Sequence, residues 1–395
     1  MRPTLGGALL LWSALVAFQT TAITQTSQVV PGSALSGITD VEFSEFRLGL
    51  DDFTEVETAE EGLGPAFNGT SCAVCHSLPV IGGGGVILEV RAGYDDAAGN
   101  HAGLNAAGDT LIHMLSTPSH TCQPQMPDDV TVVARRAPIP LFGAGLVEAI
   151  PDETLMALED PIDRNRDGVS GRAAIVVDVA TGQRRVGRFG WKAQHATLLT
   201  FGADAYRNEM GITNDVFPQE FAFGVLAAQM RSCDPIPDPE DKRDLRTGRR
   251  GIDNFESFMR FLAPVGRGEI TDAAADGERM FSAIGCATCH VPRLVTGPSA
   301  HPAFNRRAVD LFSDLLLHDI GTGDGIRQGV AEPSEIRTPA LWGLRFRRPL
   351  LHDGSAATTA ASIERHGGEA ERSARAFARL TPGERDRLLA FLRSL

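Results

Sequence analysis

Two copies of one five-residue pattern constrain this chain more than anything else in it: Cys72-Ala73-Val74-Cys75-His76 and Cys286-Ala287-Thr288-Cys289-His290. Two thiols three residues apart, followed at once by an imidazole, is the arrangement for covalent attachment of c-type haem. Each thiol adds across one porphyrin vinyl group. The vinyls sit on adjacent pyrroles, and two intervening residues let one turn of chain span them. The next residue then lies under the ring, where its imidazole nitrogen binds iron. With six Cys and ten His in 395 residues, chance would supply ~0.002 copies. A zinc or redox CxxC would need a second CxxC close by, and neither copy has one. The sequence therefore predicts two covalent haems. Cys72, Cys75, Cys286 and Cys289 are the thioether residues, and His76 and His290 the proximal ligands.

Compartment follows from the N-terminus. Arg2, an apolar run over residues 5–18 and Thr20-Thr21-Ala22 read as a secretory signal and its cleavage site, residues 1–22. The run is too short to span a bilayer comfortably, and no other stretch approaches that length. A periplasmic chain with no membrane span after cleavage is expected, which agrees with haem c attachment outside the bacterial inner membrane. The net charge of -13, with Lys and Arg scattered, excludes nucleic acid and anionic membrane surfaces as partners. Cys122 and Cys233 are left over. In an oxidising compartment they either pair, closing a loop worth roughly 4–5 kcal/mol in the chain-entropy model, or remain buried free thiols.

The expected fold is mainly α, with long loops and a few short strands. Two cytochrome c-type haem domains are expected over residues 23–262, with insertions in the first, and 263–395. Residues 41–53 carry Phe43, Phe46, Leu48 and Phe53 at helical spacing, and a second helix runs over 254–262 before Pro264. Gly82 to Gly85 reads as chain passing close to a haem edge. It lacks the lysine and the strand–turn–helix context of a phosphate loop. Short strands are expected over 86–90 and 175–179. Residues 234–251, Pro-rich and charged, read as an exposed loop. In the second unit, Thr271 caps a helix to about Ala283, with Gly277 and Phe281 on one face. Thr381-Pro382-Gly383-Glu384 is a capping box opening a terminal helix with Leu388, Leu389, Phe391, Leu392 and Leu395 on one side. A helix before the motif and an apolar helix at the end is the cytochrome c arrangement. Ala137-Pro-Ile-Pro-Leu-Phe-Gly143 also echoes Thr338-Pro-Ala-Leu-Trp-Gly343, each about fifty to sixty residues after a CxxCH, as duplication would leave them.

Further motifs carry a family resemblance over nearly the whole mature chain. They are Gly64-Pro-Ala-Phe-Asn68, the run from Pro140 to Pro151, Asp163-Arg-Asn-Arg-Asp-Gly168, Gly187-Arg-Phe-Gly-Trp-Lys-Ala193, Leu350-Leu-His-Asp-Gly-Ser-Ala-Ala357 and His366-Gly-Gly-Glu-Ala370. With these the sequence resembles the di-haem oxidoreductases, formerly called thiol oxidoreductases, relatives of the bacterial di-haem cytochrome c peroxidases. The resemblance implies a peroxidase-like enzyme that reacts with peroxide or another small oxidant at its N-terminal haem. The C-terminal haem would exchange electrons with a small cytochrome c or cupredoxin-like protein. An electron-transfer cytochrome without catalysis, or an oxygenase or protein-modifying enzyme, is the alternative on the same scaffold.

Site residues follow from the same resemblance. In the di-haem peroxidases the distal ligand of the second haem is usually a Met fourteen residues after the His of His-Asp-Gly. Counted from His352 that position is His366 (352 + 14), and no Met follows Met280. His301, His318 and His352 are the competitors. For the first haem, His101, His113, His120, His195, Met114, Met126, Met210 and an open position all stand. Glu148, an acid in an apolar run, is either a distal proton carrier or a helix-start or salt-bridge residue. Trp191 is either an electron relay between haems or packing. Asp163, Asn165 and Asp167 match the first half of a calcium loop, but Ala174 stands where an EF-hand has its bidentate Glu. They either bind calcium or form an Asp/Asn turn.

The exported protein is expected to have the intact mass of the processed chain plus two haems. A mass corresponding to one haem, or release of haem into acidified organic solvent, would overturn the double motif.

Overall fold

The computed structural model describes residues 29–96, 101–104, 108–117, 124–219 and 242–395. The expected signal segment, Cys122, Cys233 and His120 lie outside these residues. No helix among the described residues is long and apolar enough to cross a membrane.

Two pairs of crossed helices organise the chain. In the first, α1 (Asp40–Thr54) packs on α2 (Gly251–Phe261). Thr39 caps α1: its Oγ1 accepts from Glu42 N, and the Glu42 carboxylate accepts from Thr39 N at 2.7 Å. The buried stripe of α1 is Phe46, Gly49 and Phe53. Gly49 is where the helices touch: a Cβ there would stand 2.1 Å from Asn254 O and 2.9 Å from Phe258 Cβ. Phe53 then meets Phe258 at a ring separation of 4.7 Å.

The second pair repeats this. Helix α3 (Asp272–Ala283), capped by Thr271, packs on α4 (Pro382–Ser394), opened by the expected Thr381/Glu384 capping box. At the crossing a Cβ on Gly277 would lie 2.0 Å from Arg387 O and 2.8 Å from Phe391 Cβ, and Phe281 meets Phe391 at 5.2 Å. In both pairs a glycine admits the partner backbone, and a phenylalanine one turn later packs on a phenylalanine of the partner.

The fold is nevertheless mixed rather than mainly α: 31% helix and 14% strand. Most of the strand residues lie in the segment between the two CxxCH motifs. Glu89–Asp95 is the centre of an antiparallel sheet with Val132–Arg136, Leu111–Ile112 and His101–Ala102. It starts three residues later than expected. Its ladder begins at Glu89↔Arg136, while Val86 and Ile87 remain exposed. The expected strand at 175–179 is the hairpin strand Ala174–Val177, paired with Arg184–Gly187.

The units share a core. The larger apolar cluster joins Phe46, Phe53 and Phe258 to Leu294, Phe304, Leu311 and Trp342, while the smaller centres on Phe281, Phe312, Phe377 and Phe391. The two echoing segments also match in conformation. Gly143 (φ 71) and Gly343 (φ 73) each turn the chain through the left-handed region into a short helical turn. A Cβ on Gly143 would fall 2.7 Å from Trp342 Cζ2, so the second copy's tryptophan is seated on the first copy's glycine.

Gly277→Ala tests the crossing. Overpacking such a contact costs roughly 1–3 kcal/mol, against a gain in helix propensity of up to about 1 kcal/mol. A lower midpoint in urea unfolding is expected, and a midpoint at or above wild type would show that the backbones do not meet there.

Candidate haem-binding sites

Both CxxCH segments wind into one 3-10 turn, Cys72–Val74 and Cys286–Thr288, with His76 N bonded to Cys72 O and His290 N to Cys286 O. The imidazoles are then fixed in the same way. His76 Nδ1 lies 2.9 Å from Gly83 O, and His290 Nδ1 lies 3.0 Å from Phe312 O. A carbonyl only accepts, so Nδ1 carries the proton and Nε2 keeps its lone pair. Burial lowers the pKa of both rings, that of His290 to about 4 with His366 as the next cause. Each ring is braced by the phenylalanine of its own helix pair, Phe53 or Phe281, at 6.2 Å.

The glycine run after the first motif does not simply pass by. It folds back onto the motif and supplies the orienting carbonyl. A Cβ on Gly83 would meet Leu78 O at 1.9 Å and one on Gly85 would meet Cys75 O at 2.1 Å, so only glycine fits. Gly82 N donates to His76 O, and Gly82 O accepts from Leu141 N.

Beside the second motif lies a cavity, open at one side and lined mainly by apolar groups. Cys286, Cys289 and His290 line it, and so does His366. His366 follows the short helix Thr359–Glu364 and gives its Nδ1 proton to Ser362 O at 2.7 Å, so its Nε2 is also unprotonated. Of its competitors, His318 is clamped between Asp314 (2.9 Å) and Glu369 (2.8 Å), which drive its pKa up to about 12 against the cost of burial. An imidazolium has no lone pair to give to iron. His301 is paired with Glu42 outside this cavity. His352 lines the cavity beside Trp191. Cys289, Asp314 and His318 lie close enough together to hold a metal ion, but a thioether would consume that sulfur. Two thiols, two neutral imidazoles and an apolar wall fit a covalent haem.

Trp191 lines the same cavity, and its Nε1 donates to Ala137 O at 2.8 Å. Ala137 begins the segment whose Leu141 is bonded to Gly82 of the first motif. Glu148 is placed elsewhere. Its Oε1 accepts from Leu198 N at 2.8 Å, at the start of helix Leu198–Ala205, and its Oε2 is 3.4 Å from Arg260 in a surface groove. That is the helix-start and salt-bridge role, because the apolar run around it buries its neighbours and turns the carboxylate outward.

The calcium loop closes on itself. Asp163 Oδ1 and Asn165 Oδ1 accept from Asp167 N, and Asp167 Oδ1 accepts from Val169 N, each at 2.9 Å. The oxygens expected to face calcium thus hold the loop's own amides. Of the residues open as ligands of the first haem, His101 is bonded to Asp95 and His195 to Asp204. His113 bonds Asn208 O, Met210 is in the core, and Met114 and Met126 are exposed.

The acids beside the first motif went unread in the sequence. Glu209, in the π-turn Tyr206–Met210, and Glu89 hydrogen-bond each other next to Cys75, and Asn68 donates to Glu209 at 2.9 Å. Burial first and Glu89 second raise Glu209 to about 8. No local pattern marks these residues, since the strand and the π-turn meet only in the fold. Asn68 of Gly64-Pro-Ala-Phe-Asn68 was the available signal.

Residues 110–395 match the family model described as "Di-haem oxidoreductase, putative peroxidase". The chain belongs to the di-haem oxidoreductase family. The match includes the second CxxCH and begins after the first. No curated protein sequence matches the chain. Among solved structures, hydrazine synthase of Kuenenia stuttgartiensis is 15% identical, with 97% of this chain and 100% of that chain covered and a TM-score of 0.42. The diheme peroxidase BthA from Burkholderia thailandensis is 16% identical over 89% and 86%, with a TM-score of 0.42. A MauG-like protein associated with microbial copper homeostasis is 16% identical over 71% and 94%, with a TM-score of 0.33. The assignment rests on the family model, not on these distant neighbours.

A carboxyl held neutral to about pH 8 contributes stability that is complete below the ordinary carboxylate range and is lost as pH rises towards 8. In this di-haem oxidoreductase Glu209→Gln should flatten the fall in melting temperature between pH 5 and 8. Equal slopes in variant and wild type would show that Glu209 is ionised throughout.

Proposed function

We propose that the protein is an exported di-haem c redox enzyme of peroxidase type, with each CxxCH holding one haem against its own cytochrome c-like helix pair. The C-terminal haem takes His290 and His366 as its two iron ligands and exchanges electrons with a small cytochrome c or cupredoxin-like protein. The N-terminal haem, on His76, is the reaction site for peroxide or another small oxidant. One observation carries the reading: His290 and His366 line a single apolar cavity, and each donates its Nδ1–H to a backbone carbonyl. An iron closed by two imidazoles passes electrons without binding oxidant, so the chemistry falls to the other centre.

Haem, when bound, supplies the one-electron chemistry; the protein supplies position and insulation. The carbonyls of Gly83 and Phe312 hold the proximal imidazoles in orientation and raise their basicity. Trp191 sits on the wall of the C-terminal cavity. From its indole a hydrogen-bonded path runs through Ala137, along the chain to Leu141, and through Gly82 to His76. That path supports the role of Trp191 as electron relay. Glu89 and Glu209 hold a proton beside the thioether edge of the first haem. They, rather than Glu148, are acids that act on Cys75 of the first motif.

His366→Ala should turn one low-spin haem high-spin, shift its potential and slow electron delivery to the His76 haem, with both haems still attached. Spectra and redox titrations of the two haems before and after substitution measure this. If the His290 haem stays low-spin at its original potential, another residue is the ligand.

A further inference from the structure

Two arginines, neither of them a proposed iron ligand, stand in the wall of the C-terminal cavity. Arg337 is buried, 4% exposed, on the short strand Ile336–Arg337, which pairs with Leu317–His318. It spends Nε on Gly190 O at 2.8 Å and Nη1 on Thr338 O at 2.9 Å. Arg347 follows the turn Leu344–Phe346. Its guanidinium lies over Trp191, 5.0 Å from the ring centroid, and its buried Nη2 has no hydrogen-bond partner among the described residues. Both line the cavity that holds His290 and His366.

Their electrostatics are unusual. Burial is the only cause acting on Arg347 and brings its pKa down to about 10. Arg337 is brought to about 10 by burial first and by the like charge of Arg347 second. The one acid acting on Arg337 is Asp314, and Asp314 is already committed to His318. A buried cation and a half-buried one side by side, without a carboxylate of their own, are costly. They persist where an anion repays the cost. Near Cys289 the cavity is lined by Glu369 and His318, and His318 is paired with Glu369 and Asp314.

We propose that Arg337 and Arg347 receive the two propionate carboxylates of the haem seated between His290 and His366, and so fix its rotation in the cavity. The inference rests on the reading that a haem occupies this cavity. A haem carries its propionates on the pyrroles away from the vinyls, so covalent attachment at Cys286 and Cys289 sends the carboxylates to the far end. Planar guanidinium forks suit carboxylates. Arg347 then links a propionate to Trp191 by its stacking on the indole. Both arginines are positioning residues.

The test uses the haem-loaded protein and its Arg347→Gln variant, with Arg347→Lys as a second variant that keeps the charge. Intact mass and spectra first establish that the C-terminal haem is attached and low-spin. Resonance Raman spectra then read the propionate-bending band, and redox titration reads the potential. Removing a cation beside a propionate favours the ferric state. In Arg347→Gln the reduction equilibrium should fall at least tenfold, about 59 mV for one electron, and the band should move. Arg347→Lys should hold the potential closer to wild type and still move the band, because the fork is lost. An attached, low-spin haem whose band or potential does not move in Arg347→Gln overturns the assignment of the arginines alone. A cavity without haem, or a haem not low-spin in the wild type, overturns the reading beneath it.

Discussion

Each CxxCH histidine gives its Nδ1 proton to a backbone carbonyl, and everything proposed for this protein depends on those two bonds. A histidine free to turn would present either nitrogen to iron, at varying tilt. The carbonyls of Gly83 and Phe312 settle tautomer and orientation before any haem is present. Holding those carbonyls in place is the work of the surrounding fold. Gly83 is pinned because the run from Gly82 to Gly85 lies so close to Leu78 and Cys75 that no side chain fits. Phe312 is pinned by Phe281 and Phe391 of the second helix pair.

The two units solve one packing problem twice. Gly49 and Gly277 bring helix backbones together, and Phe53 and Phe281 then reach the imidazoles. The correspondence extends to the turns at Gly143 and Gly343. The acids beside the motifs differ. Cys75 has the proton-sharing pair Glu89 and Glu209, whereas Cys289 has the clamped His318 between Asp314 and Glu369. Similar scaffolding with different surroundings suits the separate roles proposed for the two sites.

Much of this was legible in the chain. The capping residues Thr271 and Thr381 and the terminal helix follow from local chemistry that tertiary structure seldom overrides. His366, reached through family spacing, lines the cavity beside the second motif. What could not be read depends on contacts between distant segments. The Glu89–Glu209 pair joins residues 120 positions apart (209 − 89). Arg337 and Arg347 look like ordinary surface arginines until the cavity encloses them. Glu148 was open between a distal acid and a helix-start or salt-bridge residue, and its contacts with Leu198 and Arg260 match the second. The strand content was underestimated because short strands such as Leu111–Ile112 are held by their partners rather than by a pattern of their own.

The seating of Trp342 on Gly143 bears on how such a protein can change. A fresh tandem duplicate consists of two separable modules, and either can be lost without harm to the other. Once an indole from one module fills the space above a glycine of the other, deleting either half leaves an open apolar socket. Leu294, Phe304 and Leu311 already belong to the larger core. The interlock therefore works as a ratchet. It ties the two halves together at a spacing set by packing rather than by the length of a tether.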